Sequence, residues 1–80
     1  MKNNFVMLTG KVSYLKDIVF NKESLKEIGL NVNNQIFKVF VKNDFIYQCI
    51  KLENTIMCSG FLETNNKDVF IVVDKCTILE

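Results

Sequence analysis

The sequence predicts an all-β domain with one short helix, a five-stranded Greek-key barrel in the order β-β-β-α-β-β. Three observations carry that prediction. Apolar residues alternate with period two through most of the chain, as strands with one buried face require. Polar clusters rich in Asn, Lys and Glu interrupt the alternation at short intervals, as turns do. The period becomes helical once, after Asn43-Asp44.

The first strand runs from Asn4 to Leu15. Val6, Leu8, Gly10 and Val12 share one side; Phe5, Met7, Thr9, Lys11 and Ser13 share the other. Gly10 in mid-strand marks a bulge or bend, which would let one strand curve and serve both sheets of a small barrel. Tyr14 to Phe20 continues it, with a bend expected at Lys16-Asp17. Asn21-Lys22-Glu23-Ser24 reads as a hairpin loop. The second strand, Leu25 to Val32, turns Ile28, Leu30 and Val32 inward and Glu27, Gly29 and Asn31 outward. Asn33-Asn34-Gln35 is the next turn.

The third strand, Ile36 to Lys42, is the most strand-like stretch. Phe37, Val39 and Val41 suit a core, whereas Ile36, Lys38, Phe40 and Lys42 face away. Asn43 and Asp44 are good N-cap residues, and apolar residues at helical spacing follow them, so a helix is expected from Asp44 to Leu52. It is too short to stand alone and must pack on the barrel. Thr55 to Glu63 is the fourth strand, with Ile56, Cys58, Gly60 and Leu62 inward and Met57, Ser59, Phe61 and Glu63 outward. After the loop Thr64-Asn65-Asn66-Lys67 comes the last strand, Asp68 to Leu79. Val69, Ile71 and Val73 share one face, Phe70 and Val72 the other, and a bulge is expected near Lys75. A closed barrel avoids the long open edges that a flat sheet of this size would expose, and this order of elements is that of the OB-fold.

Composition narrows the function. Eighty residues make one domain, 1–80, and a hydrophobic fraction of 49% is ample for a core. A chain this short buries a limited share of its surface, so oligomerisation would help it. Net charge is +1. There is no histidine, the commonest general base and metal ligand, and no recognisable catalytic pair, so an enzyme is not expected and no cofactor is implied. There is no arginine to read guanine in the major groove, which disfavours sequence-specific duplex recognition. Cys49, Cys58 and Cys76 match neither a zinc motif nor a disulfide framework; Cys58 and Cys76 read as small core residues. No signal-peptide pattern opens the chain, and no apolar run approaches membrane-spanning length, so a reducing, cytoplasmic location is expected.

A solvent face has little use for a phenylalanine between two lysines. A groove for single-stranded nucleic acid has one, because lysines meet phosphates and a ring stacks on a base. The candidate surface is Lys11, Lys38, Phe40, Lys42, Phe61 and Phe70, with Phe5 beside them. Phe5, Phe61 and Phe70 fit a dimer interface at least as well, and Lys22, Lys26 and Lys67 lie in or beside the flanking loops. Tyr14, Phe20 and Tyr47 read as packing residues.

Val6-Met7-Leu8-Thr9-Gly10-Lys11-Val12 resembles the first strand of bacterial single-stranded DNA-binding proteins. Ile56-Met57-Cys58-Ser59-Gly60-Phe61-Leu62-Glu63-Thr64 is similar to their fourth strand. Val69-Phe70-Ile71-Val72-Val73, closed by Ile78-Leu79, looks like their last. A compact primosomal or mobile-element-encoded relative is the nearest image. The resemblance implies an OB-fold that binds single-stranded DNA without strong sequence preference, as a homo-oligomer, in replication, recombination or mobile-element transfer. Ile36 stands where the family often carries a tryptophan. Glu80 follows the last strand closely, so the family's acidic, phenylalanine-ended tail, and recruitment of repair partners through it, are not expected. An OB-fold adaptor that binds protein, and an RNA-binding OB domain, remain as alternatives.

Overall fold

In the computed structural model, residues 4–20, 22–42, 48–65 and 68–80 are described. Five strands are formed: β1 (Val6–Phe20), β2 (Glu23–Val32), β3 (Gln35–Lys42), β4 (Thr55–Asn65) and β5 (Asp68–Ile78). They close into a barrel in the order β1-β2-β3-β5-β4, with β4 returning to β1. All neighbours are antiparallel except β3 and β5, which run parallel and pair only at Val39↔Ile71 and Phe40↔Val72. This is the OB-fold arrangement expected from the sequence.

β1 makes closure possible. Met7 to Lys11 pair with β4, and Lys11 to Phe20 pair with β2, so one strand serves both sides. Gly10 sits where the strand passes from one neighbour to the other. A methyl group there would press into the Asn31 carbonyl, so only glycine permits that close approach. The irregularity itself lies at Ser13, between Val12 and Tyr14, rather than at Lys16-Asp17, where the ladder to β2 is continuous. One extra residue reverses the alternation. Beyond Ser13, Tyr14, Lys16 and Ile18 therefore take the outer face that Met7, Thr9 and Lys11 held before it. A second irregularity falls near Lys75 as expected: Ser59 pairs with Lys75 and Gly60 with Val73, leaving Asp74 as the extra residue.

The core collects Val12, Ile28, Leu30, Val39, Val41, Ile50, Ile56, Cys58 and Ile71, with every strand contributing. Phe37 faces inward as expected yet remains 37% exposed. It lies near the start of β3, where the inward faces of the strands run out of partners. The turn between β2 and β3 is tight. Asn33 and Asn34 both adopt positive φ, 52° and 68°, which a two-residue hairpin needs and asparagine tolerates. The Asn34 amide donates to the Asn31 side-chain carbonyl at 3.0 Å.

The first part of the expected Asp44–Leu52 helix, Asp44 to Tyr47, lies outside the described residues. No helix stands as an element among those described; Gln48 and Cys49 alone are helical. Ile50 turns into the core and Leu52 is exposed, so the helical spacing does not extend to Leu52. The reason is local. The Lys51 amide donates to the Asn54 side chain at 2.7 Å, and Glu53 adopts φ 71°, which together turn the chain toward β4. Glu53 and Asn54 then exchange backbone hydrogen bonds with Val12, both at 2.9 Å, which ties this turn to β1.

Candidate nucleic-acid interface

The parallel pairing of β3 and β5 builds the site. Val39 and Ile71 point into the core, so their neighbours Lys38, Phe40, Phe70 and Val72 point out together. Phe40 and Phe70 meet edge to face, with ring centroids 4.9 Å apart and planes at 68°. On the other flank β2 adds Leu25 opposite Lys42 and Glu27 opposite Phe40. The β1–β2 hairpin extends past the barrel and brings Ile18 alongside Leu25.

The result is a groove of about 370 Å³ lined by Phe40, Phe70, Val72 and Leu25, with Lys38 and Lys42 on its walls. Glu23 and Asp68 also line it, at the starts of β2 and β5. The lining charges therefore balance, two lysines against two carboxylates, and the groove offers an apolar floor rather than a strong field. Among the described residues neither Lys38 nor Lys42 enters an ion pair. Lys26, by contrast, is held by Asp17 at 3.0 Å on the other face of the hairpin.

A polar clamp stiffens the wall beside Phe40. The Tyr14 ring lies flat over Gly29, where any side chain would collide with it. Its hydroxyl donates to a Glu27 carboxylate oxygen at 2.6 Å. Burial, then the hydrogen bond and negative charge of Glu27, push the Tyr14 hydroxyl up to about 12. Tyr14 is thus the packing residue its sequence context suggested.

Of the six expected site residues, the structure brings Lys38, Phe40, Lys42 and Phe70 to one groove. Phe61 and Lys11 do not line it. Phe61 pairs with Val72, one strand away from Phe40, and packs edge to face on Phe5 at 6.0 Å. Lys11 is exposed at the crossover between Asn31 and Thr55. Sequence reasoning missed Ile18, Leu25, Val72, Val73, Glu23 and Asp68 as lining residues. Leu25 and Val72 had a usable signal, since each alternates in phase with an expected outward residue. Lys67 lies outside the described residues.

A second outer face carries an apolar patch bordered by Lys11 and Lys75. Met7 and Thr9 of β1, Met57, Ser59 and Phe61 of β4, and Phe5 just ahead of β1 carry no ionisable group. Phe5 and Met7 are 61% and 60% exposed. Asn4 is pinned here, as its side chain both accepts from the Leu62 amide at 2.7 Å and donates to the Leu62 carbonyl. Among the described residues no cluster of three or more metal-ligating side chains occurs, and no helix is long and apolar enough to cross a membrane.

No protein-family model matches the chain, and neither does any curated protein sequence. Solved structures do match. The chain is similar to the N-terminal domain of PriB from Thermoanaerobacter tencongensis, described as a dimeric structure, at 17% identity over 99% of both chains with a TM-score of 0.83. It is also similar to a chain of the S. pombe Stn1–Ten1 complex, at 10% identity over 94% of this chain and 57% of that one, with a TM-score of 0.72. At such identities the likeness concerns the fold, and it makes this chain an all-β OB-fold domain.

Proposed function

We propose that the protein binds single-stranded DNA without strong sequence preference, in the groove between the β1–β2 hairpin and the start of β5. One observation carries the reading: Phe40 and Phe70 share an apolar groove with two lysines that enter no ion pair among the described residues. Bases stack on the rings, at roughly 1–3 kcal/mol each, and Lys38 and Lys42 take phosphates. The groove spans the outer faces of β2, β3 and β5, overlapping the strand-two and strand-three surface on which OB-folds take oligonucleotides. Glu23 and Asp68 repel phosphates at the margins and confine backbone contact to the lysines. The chain has no arginine for base-edge reading, which favours tolerance of sequence. Replication, recombination or mobile-element transfer in the cytoplasm is the setting we infer, with a binding rather than a catalytic role.

Titration of a fluorescent oligo-dT at low salt tests this, since the electrostatic contribution is largest there. Absence of binding would sink the proposal. Competition with a matched RNA strand separates DNA from RNA, because stacking itself does not distinguish the sugars.

A second role rests on the apolar patch around Phe5. We infer that Phe5, Met7, Met57 and Phe61 mediate self-association, since an exposed apolar patch rimmed by polar residues marks an interface. Sedimentation of the Met7→Lys variant against wild type tests it. A monomeric wild type would remove this role and leave the DNA reading intact. An adaptor without nucleic-acid binding would show the reverse: tight association and no oligo-dT complex.

A further inference from the structure

β4 and β5 place Cys58 and Cys76 directly opposite each other, with sulfurs 3.7 Å apart. The Cys58 thiol donates to the Cys76 sulfur. Cys58 is buried, and Cys76 is half-buried against the core. Neither is in a disulfide. Facing residues of an antiparallel ladder have Cα atoms about 4.5–5.5 Å apart, inside the roughly 4.4–6.8 Å range that a disulfide spans. The sulfurs need only close from 3.7 Å to about 2.05 Å, a shift within reach of side-chain rotation.

We propose that Cys58 and Cys76 form a reversible dithiol–disulfide pair that staples β4 to β5 when a low-molecular-weight disulfide oxidises it. This inference is independent of the nucleic-acid reading. The chemistry is a double exchange. Cys76, the more accessible sulfur, attacks the external disulfide as its thiolate, forms a mixed disulfide and releases one thiol. Cys58 then gives up its proton and attacks the Cys76 sulfur, forming the internal bridge and releasing the second thiol. Two protons and two electrons pass from the protein to the external disulfide, which ends as two thiols.

The order follows from the environment. The hydrogen bond to Cys76 and then burial push the Cys58 thiol well above its ordinary value, so it is a poor first nucleophile. As the second attacker it already lies against its target, and proximity offsets its low thiolate fraction. The bridge would sit beside the Asp74 irregularity, where the β4–β5 ladder is interrupted. It would close a loop that includes Phe61, Phe70 and Val72, tying one wall of the groove to the barrel. A reducing compartment keeps the pair open, and depletion of thiol reductants closes it.

The test uses the whole chain as Cys49→Ser, which removes the exposed third thiol. The folded protein is incubated with oxidised glutathione at neutral pH, then alkylated and mapped by mass spectrometry. The expected product has lost two hydrogens, retains no alkylatable thiol, and yields one cross-linked peptide joining Cys58 to Cys76. Its thermal midpoint rises by several degrees and returns on addition of dithiothreitol. Persistence of both thiols, or of a glutathione adduct that never resolves, overturns the proposal. In the further variant Cys58→Ala, the adduct is expected to remain on Cys76. Its failure to form there while the parent still cross-links would refute the order of attack.

Discussion

Neutralising Lys38 and Lys42 together tests the DNA reading quantitatively. Both side chains are exposed on the outer face of β3, and among the described residues neither is ion-paired. They are four residues apart on one strand, which sets their Cα atoms about 13 Å apart, on either side of Phe40. Replacement by glutamine keeps most of each stem and removes the charge, so folding stability should change by less than about 0.5 kcal/mol. Each phosphate neutralised on a single strand contributes about 0.7 to the slope of log affinity against log salt. If each lysine meets one phosphate, the Lys38→Gln/Lys42→Gln double variant loses about 1.4 of slope. Between about 50 and 200 mM salt, a fourfold change, the advantage of wild type over the variant should then shrink about sevenfold. Fluorescence anisotropy on a labelled oligo-dT at several salt concentrations measures this directly. Lys11→Gln serves as the control, since Lys11 lies away from the groove and should leave the slope unchanged. A double variant that keeps the wild-type slope would refute phosphate contact at both lysines, whatever its absolute affinity.

Three further outcomes follow from the same geometry. Phe40→Leu or Phe70→Leu should weaken oligo-dT binding by roughly 5- to 150-fold, the equivalent of one stacked base, with the salt slope unaltered; equal affinity in titration would exclude stacking at that ring. Gly29→Ala drives a methyl into the Tyr14 ring, so it should cost about 1–3 kcal/mol and lower the melting temperature by about 4–8 °C per kcal/mol in calorimetry. Tyr14 predicts an alkaline limb: its hydroxyl is raised from 10.0 to about 12, so the fold favours the neutral phenol. That contribution is complete below pH about 10 and is lost as pH rises through about 12. Urea midpoints should therefore fall more steeply over that window for wild type than for Tyr14→Phe; parallel curves would show that the Glu27 contact adds nothing.

Much of this was legible in the alternation. The middles of β3, β4 and β5 keep their expected phase, because the core fixes one face of each and a slip of one residue would turn it to water, whereas Phe37, Leu62 and Val69 on the same phase stay exposed. Lys38, Phe40, Lys42 and Phe70 emerged as neighbours for the same reason: the phase that buries Val39 and Ile71 exposes them. What escaped was parity. The extra residue at Ser13 has no compositional mark, yet it decides that Tyr14 and Ile18 join the outer face. Ile18 lines the groove because the shifted register pairs it with Leu25, itself the partner of Lys42. Lys11 and Phe61 sit on outward phases too, but the barrel's curvature carries them to other faces. Phase alone cannot say which outward residues of a closed sheet share a side. The helical spacing in the sequence reaches Leu52, whereas the Asn54 side chain turns the chain earlier by capturing the Lys51 amide.

The parallel contact of β3 with β5 rests on two residue pairs, whereas β2 and β3 are laddered from Leu25↔Lys42 to Val32↔Gln35. It is the thinnest seam in the barrel wall, and the groove lies directly on it. Phe40 belongs to one lip and Phe70 to the other, so a strand bound as proposed would rest on both rings and suture the seam from outside. Ligand occupancy would then be linked to barrel closure. At a free ligand concentration a hundred times Kd, closure gains about 2.7 kcal/mol, and amide exchange through opening at the β3–β5 seam slows about a hundredfold. On the proposed reading, faster amide exchange at the β3–β5 seam in the free protein than in its oligo-dT complex is the expected outcome.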